Sequence, residues 1–305
     1  MPTPLSRSSP SLRSFRSSRP WPRRLLAMLA VLLLVSACSI VRTVYNQAPN
    51  LAYWQLNRAF HLEDDQVDQV KHNLQAFFKW HRQVELPFYA PLLSRAAHEA
   101  QGPITPELAC ERRAEFEKVG RRSIDKAVPM LAELLLSNKP EQIKSLQDFM
   151  DNFNEDYRDD FLQEDKADRD EAFGKFALKW TEFFYGKFSK AQREQFIHGV
   201  VTGPLSAQDI YNEMLRTQGE FMQIAKRAVA EHPPQAQIEQ SLRTLFLHIF
   251  EPPTEARRAR LASWINAGCA LASSTHNGTT AEQRNKVTER LTDWAADVRI
   301  LSMQQ

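Results

Sequence analysis

The chain has 305 residues, 43% of them hydrophobic, which suffices for one large domain or two small ones with a real core. Its formal net charge of +2 hides an asymmetry: residues 1–37 hold six arginines and no acid, and the remainder carries 33 basic against 37 acidic residues, a net of −4. A mildly acidic body has no bulk electrostatic attraction to nucleic acid, and only nine glycines disfavour a turn-rich β sandwich or barrel.

Residues 1–24 are rich in Ser, Pro and Arg. Leu25 to Val35 is an unbroken apolar run of signal-peptide length, followed by Ser36, Ala37 and Cys38. Val35-Ser36-Ala37-Cys38 resembles the bacterial lipobox: an aliphatic residue, two small residues that admit the backbone to a peptidase cleft, then a cysteine. The resemblance implies that residues 1–37 are removed by cleavage between Ala37 and Cys38, and that Cys38 carries palmitate-type acyl chains. Each buried methylene contributes about 0.8 kcal/mol of membrane affinity. Ser39 stands where aspartate would resemble the inner-membrane retention signal, which points to a lipid anchor on the periplasmic face of the outer membrane. No second apolar run approaches the roughly 18 residues of a spanning helix, so the mature body is expected to be soluble and tethered at one end.

Residues 38–50, with Pro49 and Asn50, read as a lipidated tether, and 51–305 as one helical periplasmic domain. Apolar residues three and four apart (Val67, Val70, Leu74, Phe77, Phe78) predict a helix that Pro87 and Pro91 should bend or break. Thr105-Pro106-Glu107 is a helix start, with a capping hydroxyl, then proline, then an acid. The proline-free stretch from Glu141 predicts a long spine over 141–187, with a charged run at 163–171 that is either an exposed arm or a break. Further helices are expected over 206–231, 235–250, 254–272 and 280–302, separated by Pro233-Pro234, Pro252-Pro253 and Asn277-Gly278. The fold class is all-α: an elongated array of about eight or nine helices.

Four segments share one frame. Gln66, Gln142, Gln192 and Gln283 are each followed four residues later by an apolar residue, and eight later by Leu74, Met150, Val200 and Leu291. Eleven later, in three of the four, come Phe77, Phe153 and Trp294, and sixteen later Arg82, Arg158 and Arg299. Capping boxes at Ser189…Gln192 and Thr280…Gln283 account for most of this as repeated helix-start chemistry. Leu62…Gln66 and Phe188-Ser189…Gln192 also resemble the LTxxQ motif of small periplasmic helical chaperones and envelope-stress proteins, which present a helical surface to unfolded clients.

Leu62 to Gln66, followed by Trp80-His81-Arg82-Gln83-Val84-Glu85-Leu86-Pro87, is similar to an uncharacterised family of proteobacterial lipoproteins with a WHRxxELP pattern. That resemblance implies location and fold class, and no activity. Trp80, His81, Arg82 and Glu85 are the candidate site for a cell-wall ligand or reaction, which requires the four to converge in an open pocket. The competing reading is an Arg82–Glu85 pair and a tryptophan that fills the core. Cys110 and Cys269 remain after Cys38 is lipidated: they either pair in an oxidising compartment or stay as two buried thiols.

The histidines lack metal-ligand spacing, and the catalytic and phosphate-binding motifs of common enzyme classes are missing from the sequence. No catalytic residue, metal or cofactor is assigned. The expected role is a non-enzymatic envelope scaffold or chaperone-like binder, whose partners are the membrane and an envelope protein or unfolded client, with no nucleic acid.

Overall fold

A computed structural model describes residues 40–304, so the signal segment and the Val35–Cys38 lipobox lie outside the described residues. The described residues form an elongated array of helices with no strand among them. In chain order these are α1 (Ile40–Phe60), α2 (Asp64–Trp80), a π-helical turn (His81–Glu85), α3 (Leu86–Glu99), α4 (Pro106–Ser137), α5 (Pro140–Phe161), α6 (Lys166–Tyr185), α7 (Lys190–Val201), α8 (Ala207–Glu231), α9 (Gln235–Phe250), α10 (Glu255–Asn277) and α11 (Ala281–Met303).

The helix starts follow the side-chain chemistry. Thr105 accepts from the Leu108 N–H, Ser206 from Asp209 and Thr254 from Arg257, so each cap satisfies an orphan donor of the first turn. One expectation is corrected, and one open alternative is decided. Residues 40–50, expected as a short tether, are the first half of α1. Pro49 costs one backbone bond there, and packing of Tyr45, Ala52 and Leu56 on the body offsets it. The spine over 141–187 divides at its charged run. Leu162 leaves the helical region (φ −124°, ψ 43°), and Asp165 caps α6 by accepting from the Ala167 and Asp168 N–H groups.

Three apolar clusters hold the array. The largest joins α1, α2, α4, α5, α8 and α9 around Val128, Leu135, Ile238 and Leu242, which are sealed from solvent. A second packs Leu86, Ala90 and Leu93 of α3 against Ala295, Val298 and Leu301 of α11. The third gathers Leu178 of α6 with Phe188 and Phe196 at α7. Removing a sealed leucine such as Leu135 from such a core costs about 2–5 kcal/mol. A disulfide joins Cys110 in the first turns of α4 to Cys269 in α10, with Cα atoms 5.4 Å apart.

Candidate functional site

The Trp80–Pro87 segment sits where α2 passes into α3. Pro87 has no N–H for the regular ladder, and the chain widens by one residue rather than breaking: the Leu86 N–H donates to the His81 carbonyl, five residues back. That wide turn fans the four candidate side chains apart.

Glu85 turns inward and is 1% exposed. Its partner is Arg122 of α4, not Arg82. The Arg122 Nε lies 3.0 and 3.1 Å from the two carboxylate oxygens, and Nη2 lies 2.9 Å from Oε2. The same guanidinium stacks 4.4 Å over the ring of Phe88. Arg82 points elsewhere, donating to Asn46 of α1 at 3.1 Å and to Gln304 at 3.4 Å. His81 is wedged among the rings of Tyr45, Phe77 and Tyr89, with centroids 5.8–5.9 Å away, and its Nδ1 is 2.9 Å from the Tyr45 hydroxyl. Burial pushes the His81 ring below its ordinary pKa, against the pull of Glu85. Trp80 is half-buried under the Lys126 ammonium. The four therefore reach separate partners: Glu85 turns to Arg122, Arg82 to Asn46 and Gln304, His81 to Tyr45, and Trp80 to Lys126. The segment is a structural joint.

The four glutamines, in contrast, come together in pairs. Gln66 and Gln142 exchange hydrogen bonds, with Gln142 Nε2 donating to Gln66 Oε1 at 2.7 Å and Gln66 Nε2 donating back at 3.2 Å. Gln192 and Gln283 do the same at 2.8 and 3.2 Å. Each Oε1 also accepts from the backbone N–H that opens its own helix: Glu63, Lys139, Ser189 and Thr280. Each amide nitrogen donates to a carbonyl at the partner corner. Gln66 reaches Ser137, Gln142 reaches Phe60, Gln192 reaches Gly278 and Gln283 reaches Lys187. Two helix corners are clasped per pair: α1–α2 with α4–α5, and α6–α7 with α10–α11.

The capping reading is thus correct as far as it goes, but incomplete. Glutamate would cap a helix as well, whereas only the amide can also donate across to a neighbour. The recurrence of glutamine, never glutamate, at all four corners is the signal in the sequence for the cross-link.

Beside the second clasp, His276 is 1% exposed, with Nδ1 2.9 Å from the Tyr185 hydroxyl and Nε2 2.8 Å from the Gly102 carbonyl. A neutral ring fits these partners, with Nε2–H donating to Gly102 and Nδ1 accepting from Tyr185. Burial depresses the His276 pKa, opposed by the Gly102 bond, and lifts that of Tyr185 to about 12. An unfolded histidine takes up a proton near pH 6.5, and folded His276 resists it. Stability conferred by this site is complete above about pH 6.5 and falls as pH drops below it, by up to about 1.4 kcal/mol per pH unit. Urea midpoints across this range should show the decline, and His276→Gln should flatten it. An equal acid slope in both proteins would exclude His276 as its source.

An aromatic band runs along α5 and α6, from Phe153 through Tyr157 and Phe161 to Phe176, Trp180 and Phe183. Neighbouring rings are 5.0 Å apart at Tyr157–Phe161 and 5.2 Å at Phe161–Phe176. Phe153, Phe176, Trp180 and Phe183 are each more than two-fifths exposed. The band ends at a groove of about 680 Å³ bordered by Phe183, Phe184, Trp294 and Ile40. A second groove of about 510 Å³, between α8 and α10, carries Glu213, Arg216, Arg257 and Trp264. Among the described residues, no group of three or more His, Cys, Asp or Glu side chains is placed to hold a metal ion, and no helix is long and apolar enough to cross a membrane.

A model described as a family of unknown function, DUF6279, matches residues 59–228, a span holding the first clasp, the Trp80–Pro87 joint and the aromatic band. No curated protein and no solved structure matches the chain.

Proposed function

We propose, from the premise that the chain belongs to the DUF6279 family of unknown function, that it is a lipid-anchored, non-enzymatic binding protein of the bacterial envelope. It is held through Cys38 and engages an apolar segment of a partner or unfolded client. The observation that carries the binding role is the aromatic band on α5 and α6. Large exposed rings, here Phe153, Phe176, Trp180 and Phe183 joined through half-buried Tyr157 and Phe161, are a recognised mark of an interaction surface. The clasps support the scaffold part of the reading, since they fasten the corners from which the band is hung. The lipobox segment supports the anchor, and the Cys110–Cys269 bond fits an oxidising compartment.

Two measurements test this. Wild-type protein should suppress the light scattering of a heat-unfolded test protein at equimolar ratio, and Phe176→Ser with Trp180→Ser should lose most of that effect. Suppression that survives the double substitution removes the band from the proposal. The anchor is read separately: palmitate should label the wild type and not Cys38→Ser, and an unlabelled wild type would end the lipoprotein reading. Thiol titration of protein unfolded without reductant should find neither Cys110 nor Cys269 free.

A further inference from the structure

The helix nearest the proposed anchor has two apolar faces, and the body covers one of them. Tyr45, Ala52, Leu56, Ala59 and Phe60 of α1 pack onto the first two clusters. On the other side Ile40, Val44, Leu51 and Trp54, at spacings of four, seven and three, form a stripe in which every member is at least 51% exposed. An open apolar face on a helix already anchored by its opposite face needs an occupant.

The position and charge of α1 identify one. Ile40 opens the helix two residues after Cys38, and two residues of chain reach about 7 Å at most. With acyl chains on Cys38 in a bilayer, the first turn of α1 is confined to the headgroup layer. No Asp or Glu precedes Glu63, so α1 carries only the positive charges of Arg42 and Arg58. Arg42 is committed to Asp297 of α11, at 3.0 Å. Arg58 stacks at 4.8 Å on Trp54, at the far end of the stripe. An apolar stripe, a terminal tryptophan and the exposed Arg58 beside it, on a helix without acids, make the composition of a helix that lies in a membrane interface.

We infer that the outer face of α1 docks on the phospholipid bilayer, so that the helix lies along the membrane and sets the orientation of the whole body. The inference rests on the proposed anchor at Cys38, which fixes where α1 begins. At 1.5 Å per residue, the stripe from Ile40 to Trp54 lays about 21 Å of helix on the surface. Trp54 therefore sits at lipid depth although it is sixteen residues from the acylated cysteine.

The test uses the full chain, purified from membranes and reconstituted into phosphatidylcholine–phosphatidylglycerol vesicles with or without bromine on the lipid acyl chains. The Trp54 share of the emission is the difference between wild type and Trp54→Phe. Bromine should weaken that share about twofold, as expected of an indole seated in the interface. Val44→Glu with Leu51→Glu should abolish the quenching while the protein stays on the vesicles. Vesicle-held, palmitate-labelled protein whose Trp54 ignores bromine overturns the docking alone, whether a second copy or another protein then proves to cover the stripe. Quenching without palmitate label overturns the anchor and leaves the docking. Protein that neither carries label nor sediments with vesicles overturns both.

Discussion

Replacing Arg122 with alanine should lower the free energy of unfolding by about 3 kcal/mol, and Glu85→Gln should cost about a third as much. The asymmetry follows from where the two partners sit. The Glu85 side chain is 2% exposed, while that of Arg122 is 37% exposed. Without Arg122, a buried carboxylate is stranded near His81 and Tyr89 with no cation to compensate it. Without the Glu85 charge, the guanidinium still reaches water and still lies over Phe88. The double variant should be more stable than Arg122→Ala alone, because a neutral amide needs no counter-ion. Urea unfolding of the three variants checks this, and equal costs for the two single substitutions would show that Glu85 is not the buried end of the pair.

The second expectation concerns the clasps. Gln142→Ala should cost about 3 kcal/mol, because it strips partners from the Phe60 carbonyl, the Lys139 N–H and both ends of the Gln66 amide at once. Gln192→Ala should cost less, since Gln192 is only half-buried and water replaces part of what it loses. The sharper measurement is the coupling. If each glutamine served only its own helix, Gln66→Ala and Gln142→Ala would add. Reciprocal bonds predict a coupling of about 1–3 kcal/mol between them, and additivity within about 0.5 kcal/mol between Gln66 and Gln192. Additivity in the first cycle would reduce the clasps to ordinary caps.

Much of the fold was legible in the residues. The starts at Thr105, Ser189, Ser206, Thr254 and Thr280 are local chemistry, a hydroxyl next to the N–H groups it satisfies, and need no knowledge of the rest of the chain. The all-α class follows from the apolar spacing and the scarcity of glycine. What could not be read is non-local. Glu85 has an arginine three residues away and chooses one 37 residues away, because the wide turn before Pro87 rotates the carboxylate inward. His81 takes a hydroxyl from Tyr45, which lies in a stretch whose proline and asparagine signal a tether. The glutamine frame was visible as a recurrence, but its pairing depends on which corners meet, and the periodicity of a single helix carries no such information. The division of the spine at Leu162 falls at the head of the charged run, where the sequence allows either outcome.

The Cys110–Cys269 bond has a bearing on how the molecule is made. The first clasp closes between Gln66 and Gln142, and the second between Gln192 and Gln283, so each draws only on its own stretch of chain and one follows the other. Cys110 belongs to the earlier stretch and Cys269 to the later. A chain delivered amino-terminus first exposes the Cys110 thiol early, and supplies its mate only when little of the polypeptide remains to emerge. The covalent tie is thereby a late stitch between α4 and α10, and a chain truncated before residue 269 would be left with an unmatched, oxidisable sulfur on α4.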